Sequence, residues 1–429
     1  MSAVYRGLAT GLAPALRLWL HRRAARGKED RARLGEREGR ASVARPEGRL
    51  VWIHGASVGE ARSALPLLRR ILEQHPEANA LFTTGTLTSA AMLGTALPSR
   101  AHHQFVPLDV PAWIRRFLDH WRPDAALWLE SELWPNTLRA LARRRIPTAL
   151  VNARLSERSF AKWRRGGGVF RPPLEVFSVV LAQTAGDAER LARLGARSPR
   201  CVGNLKFDSP QLPADIAMLS ELGATIGDRP LWLAASTHDG EEMVAGEAHR
   251  LLAARHPDLL TVIVPRHATR GAAIAAALRG AGLVVAQRSV GEPIAAGTQV
   301  YLADTMGELG LFYRLAPIAF IGKSLSGAGG QNPIEAAALD TAILTGPAIG
   351  NFVEIFAALE AAGGARKVAD AGSLAEAVGA LLDDPAARQR MAQAAIDVAA
   401  QGRGAIARVL DALAPVLAPL AADDRDARA

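Results

Sequence analysis

A chain of 429 residues, 49% of them hydrophobic, is long enough for two cores, and its single cysteine, Cys201, excludes a disulfide framework and any multi-cysteine zinc site. The formal charge is +9, with basic residues gathered at 17–40, 143–145 and 162–168. Aromatic residues are few and little interleaved with those runs, so the base-stacking platforms of a nucleic-acid binder are missing, which leaves an anionic surface or a small anionic substrate.

The amino-terminal stretch AVYRGLATGLAPALRLWL (3–20) is apolar but broken by Arg6 and Arg17. It therefore lacks the roughly 20 continuous apolar residues of a spanning helix, and no small-residue cleavage site follows it. Two readings stay open. It lies in a lipid headgroup region with Arg22, Arg23, Arg26 and Lys28 on anionic lipid, or it is an amphipathic helix on the protein's own core. Residues 1–40 are set apart as this basic amphipathic segment.

From residue 48 short apolar runs alternate with helical periodicity, the pattern of βα units around a parallel sheet. The strand candidates are LVWIHG (50–55), ALFTTG (80–85), HHQFVPLD (102–109), DAALWLES (124–131), PTALVNAR (147–154) and SVVLAQT (178–184). The pattern pauses at GNLKFDSPQLPADIAML (203–219), whose glycine, polar turn residues and prolines read as a linker. It restarts with PLWLAAST (230–237), LTVIVPRH (260–267), LVVAQR (283–288), QVYLAD (299–304) and IAFIGKS (318–324). The expected fold is α/β, with two Rossmann-like βαβ domains at 41–208 and 209–420, a disordered tail at 421–429, and strand ends facing a cleft. That organisation suits a two-substrate enzyme.

Polar clusters recur at the strand ends. HGASVGE (54–60) admits three readings. Ser57 and Glu60 have the spacing of a capping box. Glu60 also stands at the carboxyl end of a parallel strand, where open α/β sheets bind ligands. Residues 55–59 further fit the G-x-S-x-G nucleophile elbow of a serine hydrolase. Glu130 and Glu132 end another strand, and Arg154, Arg158 and Lys206 follow as candidate anion ligands, although each charge taken singly reads as a solvated loop residue.

In the second half the clusters are STHDGEE (236–242), VPRH (264–267), DTMGEL (304–309) and GKSLSGAGGQNPIEAA (322–337). The last predicts a helix with Asn332 as N-cap and Pro333 at its first position, a ready anion site beside Arg266 and His267. Glu335 either accepts from ribose hydroxyls or complements the helix dipole. Neither a Walker spacing nor G-x-G-x-x-G is present, and scattered histidines without Asp-x-Asp predict no metal site.

The motifs HGASVGE, LWLESELWPN, VNARLSERS, GNLKFD, STHDGEE, VPRH, MGEL and NPIEAA occur in the order found in 3-deoxy-D-manno-octulosonic acid (Kdo) transferases, and the chain resembles that family from its basic amino terminus to GPAIGNFVE (346–354). The resemblance implies a two-domain GT-B glycosyltransferase, and the amino-terminal segment is expected to dock it on the cytoplasmic face of the inner membrane. Such an enzyme would be metal-independent and without a cofactor, moving Kdo from CMP-Kdo to the lipid A precursor (lipid IVA) with inversion. It makes Glu60 the general base and Glu130 and Lys206 transition-state stabilisers. The CMP contacts it implies are Pro265 and Arg266, then Met306, Gly307 and Glu308, then Asn332, Pro333, Ile334 and Glu335. Lys323 and Gln331 stand where the family more often carries Gly and His. The rival from another class is a non-catalytic nucleotide-sugar sensor built on the same residues.

Overall fold

The structure is a computed structural model that describes residues 3–165, 171–325, 329–350 and 352–421. The chain divides into two compact units, Met1–Ser209 with Gly402–Ala429, and Pro210–Gln401. Residues 422–429 of the expected tail lie outside the described residues.

The first unit is built on β1 (Arg49–His54), β2 (Ala78–Thr84), β3 (Ala101–Phe105), β4 (Ala125–Leu129), β5 (Thr148–Ala153), β6 (Val179–Ala182) and β7 (Arg200–Cys201). They form one parallel sheet in the order β3-β2-β1-β4-β5-β6-β7, with Ile53 opposite Phe82 on one side and Leu127 on the other. The central strands are apolar on both faces because helices cover both. Val51 and Ile53 pack with Ala64, Leu68 and Ile71 of the helix Val58–Gln74. Trp52, one residue out of phase, meets Phe117 at 4.7 Å and Trp128 at 4.8 Å on the other face.

The second domain ends earlier than the expected residue 420. The chain returns at Gly402, and the helix Ala405–Leu417 buries Val409, Leu413 and Val416 in the first unit's core. Asp208 fixes the start of that helix, accepting from the Gly404 N–H at 2.7 Å and the Ile406 N–H at 2.5 Å. Its apolar stripe predicts burial against something, and nothing local says which sheet.

Residues 1–40 belong to the first unit rather than standing apart. Two helices, Ala3–Gly11 and Ala13–Ala25, and Leu12 between them leave Val4, Leu8, Leu12, Leu18 and Trp19 exposed, while Leu20 and Ala24 are buried. The basic run beyond them is partly internal. Buried Glu29 pairs with Arg23 at 2.9 Å and Arg37 at 3.1 Å, and Arg37 donates to the Val106 carbonyl at 3.1 Å. Arg23 is thus tied to an internal carboxylate, leaving Arg22, Arg26 and Lys28 as the exposed part of the expected basic flank. Among the described residues no helix is long and apolar enough to cross a membrane.

The second unit contains β8 (Leu231–Thr237), β9 (Leu260–Pro265), β10 (Val285–Gln287), β11 (Val300–Leu302), β12 (Ile318–Ile321), β13 (Ala342–Thr345) and β14 (Ala365–Lys367). Their parallel order is β10-β11-β9-β8-β12-β13-β14. β7, β13 and β14 add to the strands expected from the apolar runs. β7 and β14 are edge strands with mostly exposed residues, so they carry little apolar signal, whereas β13 is fully buried.

Candidate active site

In an open parallel sheet, ligands bind at the carboxyl ends of strands where the strand order reverses. In the first unit that point lies between β1 and β4, and the loops leaving these strands carry Glu60 and Glu130. Gly55 lets them come close, since a Cβ there would lie 2.8 Å from Leu129 Cδ1 and 3.2 Å from Glu60 Cβ.

Ser57 caps the helix Val58–Gln74, accepting from the Glu60 N–H at 3.3 Å. The Glu60 carboxylate turns back to accept from the Ser57 hydroxyl at 2.7 Å and the Ala56 N–H at 2.8 Å. The side chain is therefore both held by a helix start and placed at the strand end. Glu60 is only 9% exposed. Burial, reinforced by the Glu130 charge, pushes its carboxyl up to about 7 against the opposing bonds from Ser57 and Ala56.

The nucleophile-elbow reading does not survive this geometry. The Ser57 hydroxyl donates to Glu60 instead of to an imidazole. His54 lies in the core with Nδ1 3.0 Å from Thr83 Oγ1 and its ring 4.8 Å from that of Trp128, and burial pushes it down to about 3.

Glu130 adopts φ +56°, a left-handed conformation uncommon for a residue with a Cβ. Its N–H donates to the Val151 carbonyl at 3.1 Å, and its Oε1 receives Lys206 Nζ at 3.2 Å. Burial also raises the Glu132 carboxyl. Arg154 is half-buried, its carbonyl accepting from the Ser131 hydroxyl, whereas Arg158 is exposed on the helix Glu157–Arg165.

Three buried amides that the sequence reading passed over place Lys206. Asn152, itself at φ +54°, accepts from the Leu205 N–H at 3.0 Å. Asn204 accepts from the Lys206 N–H at 3.0 Å and donates to Gln183 at 2.9 Å, and Gln183 donates to the Asn152 carbonyl at 2.9 Å. Together they fix the 3-10 turn Leu205–Asp208. Their signal was an Asn or Gln at three successive strand ends, in VNAR, LAQT and GNLK.

In the second unit the order reverses between β8 and β12. Pro265 is the buried last residue of β9, and the Arg266 N–H donates to the Thr237 carbonyl at 2.9 Å. The Arg266 and Lys323 side chains make no hydrogen bond or ion pair among the described residues. Burial, reinforced by the Lys323, His267 and Arg266 charges, holds the His238 imidazole below the usual range. The His238 and His267 rings stand edge to face at 5.7 Å, and Gln331 reaches His238 Nε2 at 3.2 Å.

Met306 is 69% exposed, and Gly307 adopts φ +89°. Glu308 takes a bidentate ion pair from Arg288 at 2.6 and 2.7 Å, which holds its carboxyl below the usual range. Gly307 and Glu308 line a pocket with Pro213, Asp215, Met218 and Leu311.

The expected N-cap shifts by one residue. Asn332 accepts from the Ile334 N–H at 3.2 Å, Pro333 takes the cap position, and the helix Ile334–Ala337 has four residues. So short a helix carries little macrodipole, which weakens the expected anion site there. Glu335 is half-buried, and its charge acts on the buried Tyr313. The structure thus gathers Arg266, His238, Lys323 and Gln331 around the β8 and β12 ends, and sets residues 306–308 beside Arg288 and Met218.

Residues 32–209 match the family model described as 3-deoxy-D-manno-octulosonic-acid transferase (kdotransferase). The 3-deoxy-D-manno-octulosonic acid transferase of Haemophilus influenzae is 38% identical over 396 residues, covering 90% of this chain and 92% of that protein. This chain belongs to the 3-deoxy-D-manno-octulosonic acid transferase family. Its counterpart in Bordetella pertussis is 37% identical, covering 96% of this chain and 98% of that one.

Among solved structures, UDP-GlcNAc 2-epimerase of Neisseria meningitidis superposes with a TM-score of 0.60 at 16% identity, covering 86% of this transferase and all of the epimerase chain. MurG of Acinetobacter baumannii gives 0.52 at 13% identity, covering 85% and 98%. At such identities the likeness is one of fold, and it places the transferase in the GT-B class.

Proposed function

We propose that this Kdo transferase moves Kdo from CMP-Kdo onto the lipid A precursor (lipid IVA) in lipopolysaccharide assembly, with inversion at the anomeric carbon and without a metal. One observation carries the reading: the buried Glu60 carboxyl, raised to about 7 at the sheet's reversal point beside the Glu130–Lys206 pair. A sugar hydroxyl is a poor nucleophile until its proton leaves, and a base poised near neutrality contributes roughly 10² to 10⁴ in rate. The Ser57 and Ala56 donors orient the carboxylate, and burial restores the basicity that those donors take away.

In the proposed step the acceptor oxygen bonds to the anomeric carbon as its proton passes to Glu60. The carbon–oxygen bond to CMP breaks, and its electron pair leaves on the phosphate. Lys206, held by Glu130, supplies positive charge to the reacting centre. Arg266 answers the charge growing on the phosphate, which suits a half-buried guanidinium that has no partner among the described residues. The remaining donor contacts fall to Pro265, Met306, Gly307, Glu308, Asn332, Pro333, Ile334 and Glu335.

The exposed apolar residues of the first two helices, with Arg6, Arg22, Arg26 and Lys28 beside them, support docking on anionic lipid at the cytoplasmic face of the inner membrane.

The deciding experiment follows CMP release and acceptor mass together. Acceptor-dependent CMP release with a Kdo increment on lipid IVA is the expected result. CMP-Kdo binding without either product would favour the sensor.

A further inference from the structure

The donor proposed above carries two anions, the phosphate and the carboxylate that a ulosonic acid bears on its anomeric carbon. Arg266 answers only the first. Around it the strand ends hold more positive charge than one phosphate needs. Lys323 leaves β12 at φ +58°, a conformation in which a side chain is strained.

Its placement is over-determined. The buried Glu241 carboxylate accepts from the N–H groups of His238 at 2.9 Å, Lys323 at 2.6 Å, Ser324 at 2.8 Å and Leu325 at 3.0 Å. Glu241 thereby ties the β8 and β12 ends together, and its own charge is answered by these backbone donors. The Lys323 stem lies across Gly329, where a Cβ would come within 2.7 Å of Lys323 Cε. Its ammonium has no internal partner among the described residues. Burial and the neighbouring cations keep His238 from adding a further charge, so its ring and the Gln331 amide offer neutral hydrogen bonds beside the lysine.

We infer that Lys323, with His238 and Gln331, forms a second anion subsite that takes the sugar carboxylate of the donor. The inference rests on the donor reading above. It also gives a use to a lysine held in the left-handed region, which glycine adopts without steric strain.

The test separates CMP from CMP-Kdo. CMP measured as a competitive inhibitor reports the phosphate and base alone, and the KM of CMP-Kdo adds the sugar. In Lys323→Gly the CMP inhibition constant should stay within a factor of 2, while the CMP-Kdo KM rises about 10- to 100-fold, as expected on losing a charge-assisted contact. Lys323→Arg should restore most of the affinity. Lys323→Gly should also melt no lower than the parent, because glycine relieves the left-handed residue.

Equal losses for CMP and CMP-Kdo would assign Lys323 to the phosphate and overturn the inference, as would unchanged constants or a markedly lower melting temperature. A parent protein that binds neither compound would overturn the donor reading itself, an outcome visible before any Lys323 variant is made.

Discussion

Lys206 Nζ lies 3.2 Å from Glu130 Oε1, although 76 positions separate the two residues, and both are held by their backbones. Glu130 sits at φ +56° at the end of β4, and Lys206 rides on a turn bonded through Asn204 and Asn152. The pair is mostly enclosed, with side chains 12% and 21% exposed, so removing one partner leaves the other charge poorly solvated. Lys206→Met should lower transfer by about 10² or more if the ammonium acts on the transition state. Wild-type turnover by this variant would remove the pair from the mechanism.

The amide relay gives a milder, different signature. Gln183→Leu removes both bonds that tie Asn204 to Asn152 without touching the proposed catalytic groups. It should lower kcat several-fold with CMP-Kdo KM unchanged, and destabilise by about 1–3 kcal/mol through the unsatisfied partners. Equal falls in kcat and in folded fraction would show a purely structural role.

As the proposed base, Glu60 should set the acid limb of the pH profile. A base must be ionised, so kcat/KM should fall as the pH drops through about 7 and level off above it. An acid limb near pH 4.5 would mean that the carboxylate is solvated in the working enzyme. The same shift couples to folding. The folded-state value lies above the ordinary 4.5, so the stability this group contributes is full below about 4.5 and lost as the pH rises through about 7. Glu60→Gln should therefore gain in melting temperature relative to the parent at pH 8 and lose that advantage at pH 5.

Glu60→Gln and Glu60→Ala separate the cap from the base. Glutamine keeps the shape and serves in a capping box but takes no proton, so Glu60→Gln should fold, bind CMP and lose transfer by about 10². Alanine loses the helix-start bonds as well, at about 1 kcal/mol. Near-normal transfer by the glutamine variant would leave Glu60 a cap only.

Membrane docking should depend more on apolar contact than on charge, because Arg23 is committed to Glu29 inside the unit. Leu8→Asp with Leu12→Asp in the full chain should abolish flotation with phosphatidylglycerol vesicles. Raising the salt should weaken it by less than the four basic residues at 22–28 would give at about 1 kcal/mol each. Equal flotation of parent and double variant would sink the docking proposal.

Reading residues in order was enough to find what depends on local periodicity and local spacing. The long central strands announce themselves because both faces are buried, and the Ser57–Glu60 cap because its partners are three residues apart. The motif order likewise pointed to the family, and with it to Glu60, Glu130, Lys206 and Arg266. What the order of residues left undecided depends on chain segments meeting far from one another in sequence. The helix Ala405–Leu417 has an apolar stripe that fits either sheet, and only packing against Ile53, Leu127 and Leu181 assigns it to the first. Arg23 reads as part of a lipid-facing flank until Glu29 folds back to pair with it and with Arg37. The Glu60 carboxyl rises to about 7 because the fold excludes water from it and, secondarily, because β4 brings Glu130 alongside. Desolvation and like-charge proximity are properties of a three-dimensional environment, and no spacing along the chain encodes their size.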